Sequence, residues 1–293
     1  MRQHPPLAEL VALLTLERMD EGCFVGASHD LGFPQVFGGQ VLGQALAAAA
    51  ATVPVERSAH SLHGYFLRPG DARQRIEYCV DPSRDGRSFT TRRVVAHQHG
   101  RPIFHLAASF QVTEEGYDHQ AEAPTVTGPE GLASELDLTR AVSHRLPEKV
   151  REIWTRERPI EIRPVDPVDA FRPPRRAPRQ YAWVRAVGEL PDDPTLHRCL
   201  LAYLSDFKLL GSALRPHGVS YLTGEVQMAS LDHALWFHRP FRVDDWLLYA
   251  MDSPSASGAR GLAHGRLFDR QGRLVASVAQ EGLMRPRRPP AVH

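Results

Sequence analysis

The run 35–51 contains no charged residue. It restricts the fold more than any other stretch of the chain. It reads as a helix, and a helix that is small or apolar all round has no face to offer water and must be enclosed. Gly39, Gly43 and Ala47 recur every four residues, which clears one stripe of side chain and lets another backbone come close. Glycine costs about 1 kcal/mol in a helix interior, so the stripe needs a purpose. Close wrapping by a sheet is the expected one. The segments that follow fit this. Residues 60–68 are extended in character, and 74–81 set Ile76, Tyr78 and Val80 in alternation with polar neighbours. Asp85-Gly86 signals a tight turn, and strands at 88–97 and 101–111 are joined at His99-Gly100. The expectation is a buried helix with an antiparallel meander curled around it.

The rest of the chain extends the pattern. Leu7, Leu10, Val11, Leu14 and Leu16 have near-helical spacing, which predicts a short amphipathic helix packed on the outside. Residues 23–27 read as a strand. From about 114 to 178 the character changes: proline and charge dominate, with one helical patch at 132–153, as in a connection between two halves. The second half then repeats the first. Residues 181–187 read as a strand and 196–214 as a helix. Tyr65-Phe66-Leu67-Arg68-Pro69 is echoed by Trp236-Phe237-His238-Arg239-Pro240, an offset of 171 residues from Tyr65 to Trp236. The same offset sets the 88–97 strand on 259–268 and brings Gly100 within one residue of Gly272. Two copies of one helix-plus-sheet unit are implied, rather than a solenoid. The division is an N-terminal unit at 1–113, a proline-rich connection at 114–178, a C-terminal unit at 179–286 and a disordered tail at 287–293.

At 293 residues the chain is long enough for two such units. A formal net charge of +1 implies no nucleic-acid partner. All but Lys149 and Lys208 of the 35 basic residues are arginine, which reads as codon bias, although arginine also suits phosphate-bearing ligands. Cys23, Cys79 and Cys199 are widely spaced with no CxxC pair, which excludes a zinc knuckle and a disulfide framework and fits a reducing compartment. No apolar run is long enough for membrane insertion, no signal-peptide pattern opens the chain, and Pro289-Pro290-Ala291-Val292-His293 is not a peroxisomal tripeptide. A soluble, cytoplasmic protein is expected. Gly38-Gly39 followed by Gly43 lacks the G-x-G-x-x-G spacing of dinucleotide binding. There is no Gly-x-Ser-x-Gly elbow for a serine nucleophile. His60 and His63 lack the nearby carboxylate pair or cysteine a metal site would need. No metal and no cofactor are implied.

The segments 35–46, 60–71, 231–241 and 276–284 together resemble the acyl-CoA thioesterase II family, which has a double hotdog fold of the α+β class. The matches lie in both halves. Fold alone would say little about activity; the resemblance implies hydrolysis of medium- to long-chain acyl-CoA, with acyl-CoA as the partner and a homo-oligomer, a tetramer by family analogy. Carried over residue by residue, it also implies that the carboxylate of Asp206, the hydroxyl of Ser230 and the amide of Gln280 surround one water. Asp206 would act as its general base.

Without the resemblance each residue has an ordinary alternative. Asp206 reads as a helix cap or a partner for Lys208. Ser230 lies in line with Val226 and Met228 and reads as a serine bonded to backbone. Gln280 ends the same-face row Leu274, Ala276, Val278, where an amide asks for a polar partner or caps a neighbouring strand. Subtracting the offset sets Gln35 opposite Asp206, Ala59 opposite Ser230 and Ser109 opposite Gln280, so one working site per chain is expected. Gly38 and Gly39 open the first helix, where free N–H groups and the positive dipole end suit a thioester carbonyl. His60 and His63 are rival bases. Two other readings stay open at this point: an enoyl-CoA hydratase on the same fold, and a non-catalytic acyl-CoA-binding protein. Such hydratases resemble an Asp followed five residues later by His, whereas Gly211 stands at that distance from Asp206.

Overall fold

A computed structural model describes residues 4–32 and 35–287; nearly all of the tail expected at 287–293 lies outside them. Helix α1 (Pro5–Leu14) opens on two prolines, tolerated in a first turn whose N–H groups have no helical partner. Strands β1 (Glu17–Asp20) and β2 (Cys23–Gly26) follow as a hairpin turned at Gly22. Then come the enclosed helix α2 (Gly38–Ala50), β3 (Arg57–Phe66), β4 (Ile76–Asp85), β5 (Phe89–Gln98) and β6 (Arg101–Val112). His99 and Gly100, at φ 51° and 67°, supply the left-handed pair that a two-residue hairpin turn requires.

In the connection, α3 (Glu135–Ala141) starts from a capping box between Ser134 and Asp137, and α4 (Glu148–Trp154) is a second short helix. The single helical patch expected at 132–153 is therefore two helices with a 3₁₀ turn between them. The second unit holds β7 (Ile160–Pro164), β8 (Arg179–Ala186), α5 (Pro194–Ser205), β9 (Val226–Ser230), β10 (Asp232–Phe237), β11 (Leu247–Ser257), β12 (Arg260–Phe268) and β13 (Leu274–Pro286).

All strand pairs are antiparallel, in the order β1-β2-β4-β5-β6-β3-β10-β13-β12-β11-β8-β7, with β9 also on β13. The two units meet where β3 pairs with β10, and His63 stands opposite Ala234 in that ladder. These two residues are 171 apart, the spacing of the sequence echo, so a pseudo-two-fold axis passes between them. One continuous sheet results.

The offset does not hold for the whole unit. From β3 to β5 it is 171 and on β6 it is 172, yet α2 maps onto α5 with an offset of 156, from Gly38 to Pro194. The difference is the longer path from α5 to β9, which carries 3₁₀ turns at Leu210–Ala213 and Arg215–His217. The second helix thus ends at Ser205 rather than at 214. The partner of the glycine stripe also differs from expectation. A Cβ on Gly39 would lie 2.2 Å from the Tyr203 carbonyl oxygen, and one on Gly43 3.0 Å from that of Cys199. The stripe faces the other helix, α5, not the sheet. Helix α1 likewise joins the core instead of lying outside it: Leu7, Leu10, Leu13 and Leu14 are buried, and Leu14 touches the space over Gly43.

The first stretch of the connection, 114–134, straps the outer face of the second unit. Ala123, Val126 and Leu132 pack over Trp183, Trp246, Leu248 and Phe268, while Trp183 Nε1 donates to the Thr127 carbonyl at 2.8 Å.

Candidate active site

Asp206 is the C-cap residue of α5. Apolar Leu200, Leu201 and Leu204 anchor that helix in the core, so its last turn delivers the carboxylate into the interior, where the side chain is only 6% exposed. The opening turn of α2 meets it there. The Gly39 N–H donates to Asp206 Oδ2 at 2.9 Å, and the positive end of the helix dipole favours an anion. Side chains would prevent this approach: a Cβ on Gly38 would sit 2.7 Å from Oδ2, and Gly39 is closed off by Tyr203.

From the sheet, β13 contributes Gln280, itself buried. Its Nε2 donates to Asp206 Oδ1 at 2.6 Å and to Ser230 Oγ at 3.1 Å. Ser230 closes β9 and stands across the ladder from Gly282. A Cβ on Gly282 would lie 2.2 Å from Leu210 Cδ2, so this glycine lets the turn after Asp206 settle on β13. The three polar side chains therefore converge. Burial pushes the Asp206 carboxyl above the ordinary carboxylate range, opposed by the donors from Gln280 and Gly39. Each carboxylate oxygen accepts one of those bonds and keeps a lone pair.

Aromatic rings wall the site. Phe37 packs on Tyr203 and Phe207 with centroids 5.2 and 4.4 Å apart, and Phe66 lies over Gly38. Lys208 does not pair with Asp206; its Nζ donates to Glu135 of α3 at 3.0 Å, tying the connection to the loop that carries the carboxylate.

Other expectations change. The Gly39 N–H, expected to be free for a thioester carbonyl, is bound to Asp206. His60 turns away, its Nε2 2.8 Å from Ser109 Oγ and its ring against exposed Phe89. His63 packs edge-on to Trp236. The internal equivalences shift as well. With the 156 offset of the helices, Asp206 corresponds to Ala50 and not to Gln35. On the ladders Ala263 faces Gln280 and Arg92 faces Ala108, so the counterpart of Gln280 is Ala108 and not Ser109. No carboxylate stands at the matching place of the first unit.

One residue near the site was not anticipated. His233 lies on β10 with none of its side chain exposed, its Nδ1 3.9 Å from Asp206 Oδ1 and its Nε2 2.9 Å from Ser205 Oγ. Its signal was present in the sequence: His233, Leu235 and Phe237 alternate on one strand face, and a histidine in that row has to be buried.

Two tandem units, each an antiparallel sheet with a helix on its inner face, define a double hotdog protein of the α+β class, with a buried carboxylate in the second unit. The comparisons with known proteins agree with this architecture. Residues 28–111 match the acyl-CoA thioesterase N-terminal domain, and 150–283 match the acyl-CoA thioesterase family. Acyl-CoA thioesterase 2 of Haemophilus influenzae is 44% identical, over 95% of this chain and 98% of its own. Human acyl-coenzyme A thioesterase 8 is 42% identical over 94% of this chain and 88% of its own. The crystal structure of an acyl-CoA thioesterase II, TesB2, from Mycobacterium marinum superposes with a TM-score of 0.77 at 41% identity, covering 95% of this chain and 98% of that one. The chain belongs to the acyl-CoA thioesterase family.

Proposed function

We propose that this protein hydrolyses medium- to long-chain acyl-CoA to fatty acid and CoA, with Asp206 as the general base. The observation that carries the reading is the convergence of Asp206, Gln280 and Ser230 in a site closed by apolar side chains. A carboxylate held above its ordinary range by burial is a stronger base than one in water. Water bound among the three groups gives a proton to Asp206 as its oxygen bonds to the thioester carbonyl carbon. The carbonyl becomes an oxyanion, then re-forms as the carbon–sulfur bond breaks. The departing thiolate takes the proton back from Asp206, so the carboxylate is regenerated and no cofactor or metal enters the step. Ser230 and Gln280 orient the water. The Gly38 N–H, in the first turn of α2, is the donor we assign to the carbonyl oxygen, since that of Gly39 is committed to Asp206. His60, bonded to Ser109, has no part in this chemistry.

The acyl chain lies along Phe37, Phe66 and Phe207, and its apolar walls favour a chain over a short acetyl group. Among the described residues no helix is long and apolar enough to cross a membrane; we assign the enzyme to the cytoplasm and, by family analogy, to a homotetramer, which light scattering in solution checks. The activity test is release of free thiol from acyl-CoAs of increasing chain length, read with a thiol reagent. One thiol should appear for each fatty acid. Water added across an enoyl-CoA double bond with the thioester intact would instead mark a hydratase, and binding without turnover a carrier or sensor.

A further inference from the structure

His233 is enclosed yet only half engaged. Its Nε2 meets Ser205 Oγ at 2.9 Å, while Nδ1 is buried without a hydrogen-bond partner and faces Asp206 Oδ1 across 3.9 Å. A buried polar atom left in this way is costly and asks for an explanation. The choice of tautomer supplies one. Ser205 has one hydroxyl proton and two acceptors in reach, the Ala202 carbonyl at 2.9 Å and His233 Nε2 at 2.9 Å. If the proton points to Ala202, the imidazole carries its own proton on Nε2 and turns a bare lone pair towards the carboxylate. In a dry site that contact is repulsive. If the proton points to Nε2, the imidazole carries Nδ1–H and aims it at Oδ1, which already accepts from Gln280 and has a second lone pair.

We propose that His233, as the neutral Nδ1–H tautomer held by Ser205, is a positioning residue that favours the ionised form of Asp206 and steadies its carboxylate for catalysis. The inference rests on the reading of Asp206 as the base. Full burial pushes the imidazole pKa down to about 3, so His233 acts as a neutral donor and not as a second charge. The gap of 3.9 Å is about 1 Å beyond a hydrogen bond, a distance that catalytic contacts close when substrate binds. The other titratable group facing the carboxylate is Tyr249 on β11, whose hydroxyl donates to the Ser205 carbonyl at 2.7 Å and holds that residue in place. From α2 and β13 the carboxylate meets the neutral Gly39 N–H and the Gln280 amide.

The test is the pH profile of kcat for thioester hydrolysis, whose acid limb reports the base in the enzyme–substrate complex, where the gap is closed. Asp206 loses a donor in His233→Leu, so the limb should move up by about one pH unit, an about tenfold loss at a pH below it. Asn puts its amide nitrogen where Nδ1 sits, and His233→Asn should return the limb to its place. Gln reaches the Nε2 position instead, and His233→Gln should not. Ser205→Ala, which frees the tautomer, should move the limb in the same direction by less. The midpoint of such a profile does not depend on how much enzyme is folded, so misfolding cannot imitate the shift. An unmoved limb in His233→Leu, or equal rescue by Asn and Gln, overturns the inference. Should Asp206→Asn itself keep the acid limb, the reading of Asp206 as base is what fails.

Discussion

The two units share one plan and treat the same interior position in opposite ways. In the second, Asp206, Ser230 and Gln280 gather beside Ala263. In the first, the corresponding residues are Ala50, Ala59 and Ala108, and the counterpart of Ala263 is Arg92. The Arg92 side chain is only 4% exposed. Its Nε donates to Thr52 Oγ1, and Nη2 to the Thr52 carbonyl and Asp85. Nη1 meets the carbonyls of Arg84 and Thr91. The first unit therefore closes its interior with a cation whose five donors are all answered. The second keeps a carboxylate that burial disfavours and an amide oxygen, Gln280 Oε1, with no partner. Satisfied polar groups stabilise a fold; unsatisfied ones are available for chemistry.

The sharpest way to break this contrast is Asp206→Asn. Thiol release should fall by about a thousandfold, roughly 4 kcal/mol of transition-state stabilisation. Substantial residual turnover would mean that Asp206 is not the base and that the contrast between the two interiors does not set the activity. Next is Arg92→Leu, which strands the polar groups of Thr52 that the guanidinium answers. Urea unfolding should show a loss of about 3 kcal/mol, while kcat/KM of the folded enzyme stays the same. A fall in kcat/KM there would couple the two interiors. Gln280→Leu removes a donor from both Asp206 and Ser230, and an about hundredfold drop in turnover is expected with the fold retained.

The smallest effect concerns stability and pH. Asp206 has a folded pKa above its ordinary value, so between the two values the native state holds more protons than the unfolded one, and stability falls as pH rises. The penalty is present in full above the folded pKa and absent below the unfolded one. Asp206→Asn should therefore be more stable than the parent at neutral pH. The gain should vanish on acidification, as followed by thermal melts across pH. A gain that grows on acidification would reverse the assigned direction.

The sequence displays the enclosed helix, the meander after it and the strand repeat because each depends on local periodicity. The spacing of Tyr65 and Trp236 even contains the pairing of His63 with Ala234. Three things were hidden because they depend on contacts between distant segments. The glycine stripe shows that a backbone comes close, but not whether that backbone is helix or strand; only the packing of Tyr203 over Gly39 decides it. A single offset hides an inserted path: it sets Gln35 opposite Asp206, whereas α5 ends at Ser205 with the extra residues after it, which makes Ala50 the counterpart. The turn from β12 to β13 holds one residue more than the His99-Gly100 turn from β5 to β6, so the offset on β13 is one residue larger and sets Ala108, not Ser109, opposite Gln280. Asp206, Ser230 and Gln280 stand out in the sequence only through the family resemblance. Their residue types alone fit capping and backbone bonding equally well.

The β3–β10 seam sets a condition on how such a chain can be divided. Its axis runs between His63 and Ala234, so the edge β3 offers to β10 is nearly the edge it would offer to a second β3. A lone N-terminal copy, cut free at the connection, would bare that ladder together with the glycine-lined side of α2, and both could be covered by another molecule of the same copy. Tandem fusion makes that self-association unnecessary. With the two copies covalently joined, one of them can become a catalyst while the other remains scaffold, a division of labour closed to a dimer of identical parts.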